Sequence, residues 1–351
     1  MKILTVLLGT IIGAGFISGA EINLFFNSIG IFGLFGVIIS SIILGLTIYF
    51  SLTNNNKSYN ELIRSNLNNK ILKFILLGMI NIFLIISYFI MIAGLSSFFS
   101  ESINIDYFIS SIISILIIFI IVNGDINRIE KFNKLFVPFL IILLFLLPFL
   151  VKDTNLLSLN LYSNNDFNNN FNINFFILGL IYASYNSISL IPIAIKLKES
   201  NNISRKKSLY ISLAFSCIIS ICGIILFILL ESNKQFMKNE IPLLDIISNK
   251  NKYLKLLVQI AIAISIVSTA VSLQYAAILN IEKNKDNYLR DIIIMNIISI
   301  IVSRLGFQTL IKIFYPLFGL IGILNFIILM KNYFKYSKIK SLYWKKRQEL
   351  I

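Results

Sequence analysis

Three stretches of the chain combine residue types and spacings able to hold a small solute or ion. The first runs from Gly9 to Glu21 (Gly-Thr-Ile-Ile-Gly-Ala-Gly-Phe-Ile-Ser-Gly-Ala-Glu), with four glycines in eleven residues and a carboxylate at its end. The second, Gly179 to Ser189, places Tyr182, Ser184, Tyr185, Asn186 and Ser187 between apolar flanks. The third carries Ser265, Ser268, Thr269 and Ser272, with Gln274 just beyond. Hydroxyl oxygens are hard ligands, suited to a small cation when backbone carbonyls complete the shell. Ser and Thr also bond back to the carbonyls of their own helix, which is the structural alternative for the third stretch.

These stretches sit in a chain of 351 residues that is 57% hydrophobic and 13% charged, with mean hydropathy +0.85. That is more apolar surface than a soluble core of this length hides, so the chain belongs in a bilayer. A spanning helix needs about 20 apolar residues. Apolar runs bounded by polar clusters predict ten spans, at 3–26, 30–51, 71–99, 107–122, 135–151, 174–195, 208–230, 254–280, 290–304 and 309–330. The first lacks a longer basic region and a cleavage site, and reads as a retained helix, not a signal peptide.

The formal charge of +15 comes from 31 Lys and Arg against 16 Asp and Glu, with the basic residues lying between the apolar runs. They read as topology signals, not as a nucleic-acid surface. With both termini cytoplasmic, 23 of the 31 fall on the inside, favouring N-in, C-in; the basic segment Glu231–Lys255 dissents. The tail from Lys331 to Ile351 interleaves seven basic residues with aromatics, the pattern of an interfacial helix on an anionic leaflet. Histidine is absent, which removes His-dependent acid–base chemistry and His-ligated metals. Cys217 and Cys222 fall on different sides of one helix, so neither a disulfide nor a metal site is expected. No Ser–Lys pair stands at convincing spacing, and the chain does not read as an enzyme or as a holder of a bound cofactor.

Within the first span each glycine costs about 1 kcal/mol relative to alanine in a helix, so regular helix is weakened at mid-membrane. Unwound backbone is tolerated there only where it lines a cavity or finds protein partners. A binding site explains this, and close helix packing through Gly9/Gly13 and Gly15/Gly19 is the alternative. With no strand before it, the glycine run is not a dinucleotide loop. Glu21 is the one carboxylate in the apolar part of a predicted span and reads either as a cavity residue or as an interfacial one. The polar stretch of the sixth span repeats the interruption of the first. Paired interruptions at the start of each half point to an inverted-repeat transporter with its site at the midplane.

Three motifs carry a family resemblance: Gly9 to Glu21 followed by Phe25-Phe26; Tyr182-Ala-Ser-Tyr185-Asn186; and Phe314-Tyr315-Pro316-Leu-Phe318-Gly319-Leu-Ile-Gly322. Together they resemble the YkvI-type bacterial membrane proteins, distant relatives of the amino acid–polyamine–organocation transporters, over nearly the whole chain. The resemblance implies an all-α LeuT-like fold of ten transmembrane helices. Residues 1–151 would form the first five-helix repeat, 152–173 an external loop, 174–330 the inverted second repeat and 331–351 a basic cytoplasmic tail, with helices 1 and 6 broken. It places Thr10, Ile11, Gly13, Ala14 and Gly15 against a substrate, with Tyr182, Ser184, Tyr185 and Asn186 opposite. It sets an ion between the carbonyls of Gly9 and Ile12 and the helix 8 groups Ser265, Ser268 and Thr269.

Proton-coupled relatives can place a lysine on helix 5, and Leu135–Val151 has none. Sodium is therefore the expected coupling ion, with a proton on Glu21 as the alternative. The expected function is ion-coupled transport of a small organic solute, an amino acid or related amine, in the bacterial plasma membrane. A solute sensor or receptor subunit of the same fold is the rival. Sequence leaves the oligomeric state unassigned.

Overall fold

The computed structural model describes residues 2–54, 56, 58–122, 126–151, 174–201, 203–237, 241–248, 252–281 and 288–348. The expected loop 152–173 lies outside the described residues. Every described regular element is a helix: α1 (Lys2–Ile11), α2 (Ala14–Ile17), α3 (Ala20–Phe25), α4 (Gly33–Thr53), α5 (Tyr59–Asn66), α6 (Lys70–Ile103), α7 (Tyr107–Val122), α8 (Ile126–Leu150), α9 (Asn174–Asn201), α10 (Arg205–Glu231), α11 (Pro242–Ser248), α12 (Lys252–Ile281), α13 (Tyr288–Ser303) and α14 (Phe307–Gln348), with short 3₁₀ turns at Asn27–Phe32 and Lys234–Phe236. Seven of the described helices are long and apolar enough to cross a membrane alone. The broken α1–α3 unit, α7 and α13 complete the expected ten. Large apolar residues on outer faces, among them Phe35, Ile120, Phe149, Ile301 and Leu320, remain exposed, as lipid-facing positions must.

The helices sort into two packed groups. In one, α4 packs on α9 and α10, and α9 on α14; in the other, α6 packs on α12, α7 and α13. The first helix sits between them, with α1 against α8, α12 and α9. Helix starts have local causes. Asn69 accepts from the amides of Ile71 and Leu72 at the head of α6, and Ser204 from that of Lys207 at the head of α10.

Two expectations are corrected. Helix 5 begins nine residues earlier than its apolar run, because α8 carries the polar segment Ile126–Lys134 into the fold. It therefore contains Lys131 and Lys134, both exposed. Helix 6 is not broken: α9 is one continuous helix across its polar stretch. Its polar groups turn back on their own helix, with Ser187 Oγ donating to the Ser184 carbonyl (2.6 Å), Ser189 Oγ to that of Asn186 (2.8 Å) and Asn186 Nδ2 to that of Tyr182 (3.1 Å).

At one end, a polar latch ties α5 and the end of α4 to α9 and α14. Helix α5 opens with Ser58 accepting from the Glu61 amide (3.1 Å). Tyr59 OH donates to Asn325 Oδ1 (2.8 Å) and Asn66 Nδ2 to Asn332 Oδ1 (2.9 Å). Asn332 Nδ2 in turn donates to Asn54 Oδ1 (2.8 Å), and Lys198 Nζ to the Asn54 carbonyl. Tyr59, Asn325 and Asn332 are all buried, so Tyr59→Phe leaves an acceptor without its donor. We expect a loss of about 1–2 kcal/mol, read as a lower thermal unfolding midpoint with no change in helix content.

Candidate functional site

The first membrane helix breaks twice. The break between α1 and α2 falls at Ile12–Gly13, where the Gly13 amide bonds to the Ile11 carbonyl (2.7 Å) and helical bonding resumes with Ile17 N to Gly13 O (2.9 Å). The second falls at Ser18–Gly19. Gly19 takes a left-handed conformation (φ 82°) that a side chain would strain, and the Ala20 amide donates to Ser18 Oγ (3.3 Å). The second break is also held from outside, since the Leu243 amide of α11 donates to the Ser18 carbonyl (3.0 Å). Asn23 Nδ2 grips the Met237 carbonyl (2.7 Å) from α3. Beside this end lies a cleft of about 380 Å³ bordered by Ala20, Asn23, Met237 and Lys312.

Around the first break the glycines make room for side chains from elsewhere. A Cβ at Gly9 would stand 2.5 Å from Ser268 Oγ and 2.8 Å from Asn133 Oδ1. One at Gly13 would stand 2.8 Å from Thr269 Cβ, and one at Gly15 would stand 2.5 Å from Glu21 Cγ. Such separations lie well inside van der Waals contact, so these positions require glycine for space.

One cluster forms at Gly9. Its carbonyl accepts from Ser268 Oγ (3.1 Å) and Thr269 Oγ1 (2.9 Å), and Ser268 Oγ also lies 2.6 Å from Asn133 Oδ1. Four oxygens from α1, α8 and α12 thus meet, and the single Ser268 proton is shared between two acceptors. All four residues are buried. Asn133 Nδ2 has no partner. Ser265 stands apart, spending its hydroxyl on the Ile262 carbonyl (3.2 Å), and Ile12 sits buried in the break itself.

The other cluster surrounds a small, partly open cavity of about 20 Å³, room for one water-sized body. Thr10, Ile11, Gly13, Tyr185 and Asn186 line it together with Glu21 and Thr269. Glu21 is 5% exposed, so it is a cavity residue and not an interfacial one. Its Oε2 and the hydroxyls of Tyr182, Tyr185 and Ser87 are buried without hydrogen-bond partners. Tyr185 stacks between Phe25 (5.6 Å) and Tyr315 (4.5 Å), and Tyr182 sits behind it against Phe26 (5.2 Å). Gly15 borders the carboxylate without lining the cavity, Ala14 opens α2, and Ser184, buried with its hydroxyl unpartnered, is outside the lining, its carbonyl against Gly322 of α14.

Sequence reasoning missed Asn133, Ser87, Phe83 and Tyr315 as site residues. Asn133 was hidden because its segment is charged and reads as a loop, although it falls two residues before the apolar run. Ser87 and Phe83 lie in an unbroken apolar run with nothing to mark them. Tyr315 lies in the Phe314–Gly322 stretch, where nothing local marks it as facing Tyr185.

The tight fit of Gly15 against Glu21 makes a pair that can be separated experimentally. Gly15→Ala should lower the unfolding midpoint, and adding Glu21→Ala, which clears the space, should restore most of the loss. A coupling of at least about 1 kcal/mol between the two is expected, and additive effects would contradict the contact.

No protein-family model matches the sequence. The chain is 31% identical over 148 residues to the uncharacterized membrane protein YkvI of Bacillus subtilis, a match covering 39% of this chain and 40% of that relative. The chain therefore matches less than half the length of this curated relative. In fold it is similar to the manganese transporter of Eremococcus coleocola, solved with an aromatic bis-isothiourea substituted compound, at 12% identity and TM-score 0.60, over 93% of this chain and 75% of that one. A variant of the same transporter gives TM-score 0.61 with 77% of its chain covered. The chain is thus a polytopic helical membrane protein that shares its fold with the manganese transporter and is similar in sequence to YkvI over 39% of its length.

Proposed function

We propose that the protein is an ion-coupled secondary transporter that moves a small organic solute, an amino acid or a related amine, across the bacterial plasma membrane by alternating access. The observation that carries this reading is the broken first helix, which meets an oxygen cluster at Gly9 and, beside it, a small cavity that holds the Glu21 carboxylate. In this reading Thr10, Ile11, Gly13, Ala14 and Gly15 shape the solute site with Tyr182, Ser184, Tyr185 and Asn186. Residues 1–151 and 174–330 act as the two repeats, with both termini cytoplasmic.

For the ion, the Gly9 carbonyl, Ser268 and Thr269 hydroxyls and Asn133 amide oxygen are hard donors of the kind a small alkali cation takes. Of the expected set, Ile12 and Ser265 lie outside this cluster, Ser265 donating to the Ile262 carbonyl (3.2 Å). A bound sodium would replace the shared hydroxyl proton as the group that joins α1, α8 and α12. Glu21 is the alternative, carrying a proton. The structural neighbour is a manganese transporter, but among the described residues no three His, Cys, Asp or Glu side chains converge, which favours organic cargo here. The chemistry is movement, not catalysis.

The test is uptake of labelled amino acids and amines into proteoliposomes with and without an inward sodium gradient. Sodium-driven accumulation is expected. Thr269→Val should raise the sodium concentration for half-maximal uptake by about tenfold, the loss of roughly 1.4 kcal/mol of ligand interaction. Gly15→Leu should abolish uptake while the protein still inserts. Solute binding without flux in the unaltered protein would overturn transport in favour of a sensor.

A further inference from the structure

Resting on that transport reading, we propose that Glu21 receives the positive charge of the cargo, and that the cargo is a monocationic amine, neither a zwitterion nor a divalent metal ion. The cavity carries one carboxylate and no basic side chain in its lining. None of the ion pairs among the described residues involves Glu21; they join Lys196 to Glu199, Lys234 to Glu231 and Arg290 to Asp291. An ionised carboxylate buried without a counter-charge costs several kcal/mol, even with the Tyr182 and Tyr185 hydroxyls beside it. A ligand that supplies the missing cation recovers this cost, whereas one that adds a second anion increases it.

The hydrogen-bonding supply points the same way. Thr10 Oγ1 donates to the Val6 carbonyl (2.9 Å), Ser189 Oγ to that of Asn186 (2.8 Å) and Thr269 Oγ1 to that of Gly9 (2.9 Å). With their protons spent on backbone, these three hydroxyls present lone pairs to the cavity, while the Tyr185 and Ser87 hydroxyls keep their protons and, being neutral, offset no negative charge. An ammonium group has three donors and no acceptor, and matches this lining. A carboxylate on the same ligand finds no cation there, which counts against a zwitterion. A divalent metal is only half neutralised by a single carboxylate, and no second acidic side chain lines the cavity. Tyr185 and Tyr315, stacked on each other, border the cavity and supply an aromatic wall for the organic part once the cavity widens beyond its about 20 Å³.

The experiment uses the purified full chain and its thermal unfolding midpoint. Phenethylamine and isopentylamine are compared with phenylalanine and leucine as zwitterions, 3-phenylpropanoate as anion, phenethyl alcohol as neutral isostere, and manganese chloride. At least one amine should raise the midpoint while its zwitterionic, anionic and neutral counterparts do not. Glu21→Gln should weaken amine binding by at least about 30-fold, as expected for losing the charged partner of a buried pair. Glu21→Asp, which keeps the charge, should retain weaker binding. The alcohol comparison stands on the unaltered protein and holds even where Glu21→Gln fails to fold.

A shift from phenylalanine or leucine that survives Glu21→Gln overturns the inference and leaves transport standing. So does a shift from manganese that Glu21→Gln removes, or amine binding unchanged in Glu21→Gln with lost pH dependence of uptake, which makes Glu21 a proton carrier. No shift from any amine also overturns it, and the proteoliposome assay then decides separately whether transport itself falls.

Discussion

A peptide carbonyl that leaves its helix inside hydrocarbon must be met by another donor, because no water is there to meet it. At Gly9 the carbonyl is met by two hydroxyls from α12, and the amide side chain of Asn133 closes the cluster. At Ser18 the carbonyl is met by an amide from α11. Much of the remaining architecture follows from satisfying these two points. Helix α12 must pass close to α1, α8 must start early enough to bring Asn133 within reach, and the segment after α10 must fold back over the second break.

Glycine is the sequence device that permits these approaches. In a soluble helix, glycines at 9, 13 and 15 would weaken the helix with little return. Here each marks a place where a side chain from another segment occupies the volume a Cβ would take: Ser268 and Asn133 at Gly9, Thr269 at Gly13 and Glu21 at Gly15. Sequence reasoning left helix packing and an unwound binding segment as rival explanations of the glycines. The structure gives both, because the same residues break the helix and admit its neighbours.

Much of the fold was legible because bilayer constraints write themselves as long apolar runs, and every predicted span corresponds to a described helix or to the broken first unit. The edges were less legible where charge and burial part company. The run Ile126–Lys134 is polar in sequence but amphipathic in the helix, burying Ile129 and Asn133 while Lys131 and Lys134 stay exposed. Composition averages over that difference. The second interruption was misread for a related reason, since Ser and Asn signal a break only when their polar groups leave the helix. In α9 the groups of Asn186, Ser187 and Ser189 turn inward to the preceding turn. The approach of Tyr315 to Tyr185 depends on how α14 meets α9, a tertiary fact that no local pattern carries.

The bond from the Leu243 amide to the Ser18 carbonyl gives the segment between α10 and α12 a mechanical connection to the first helix. A segment joining two membrane helices is usually free to vary, but this one holds a backbone group of the hinge. Any rearrangement that swings α3 away from α2 must either carry α11 with it or break that bond. The Leu243 amide is therefore a built-in gauge of the first helix, shielded from solvent exchange while the bond holds and open to it once the hinge lets go.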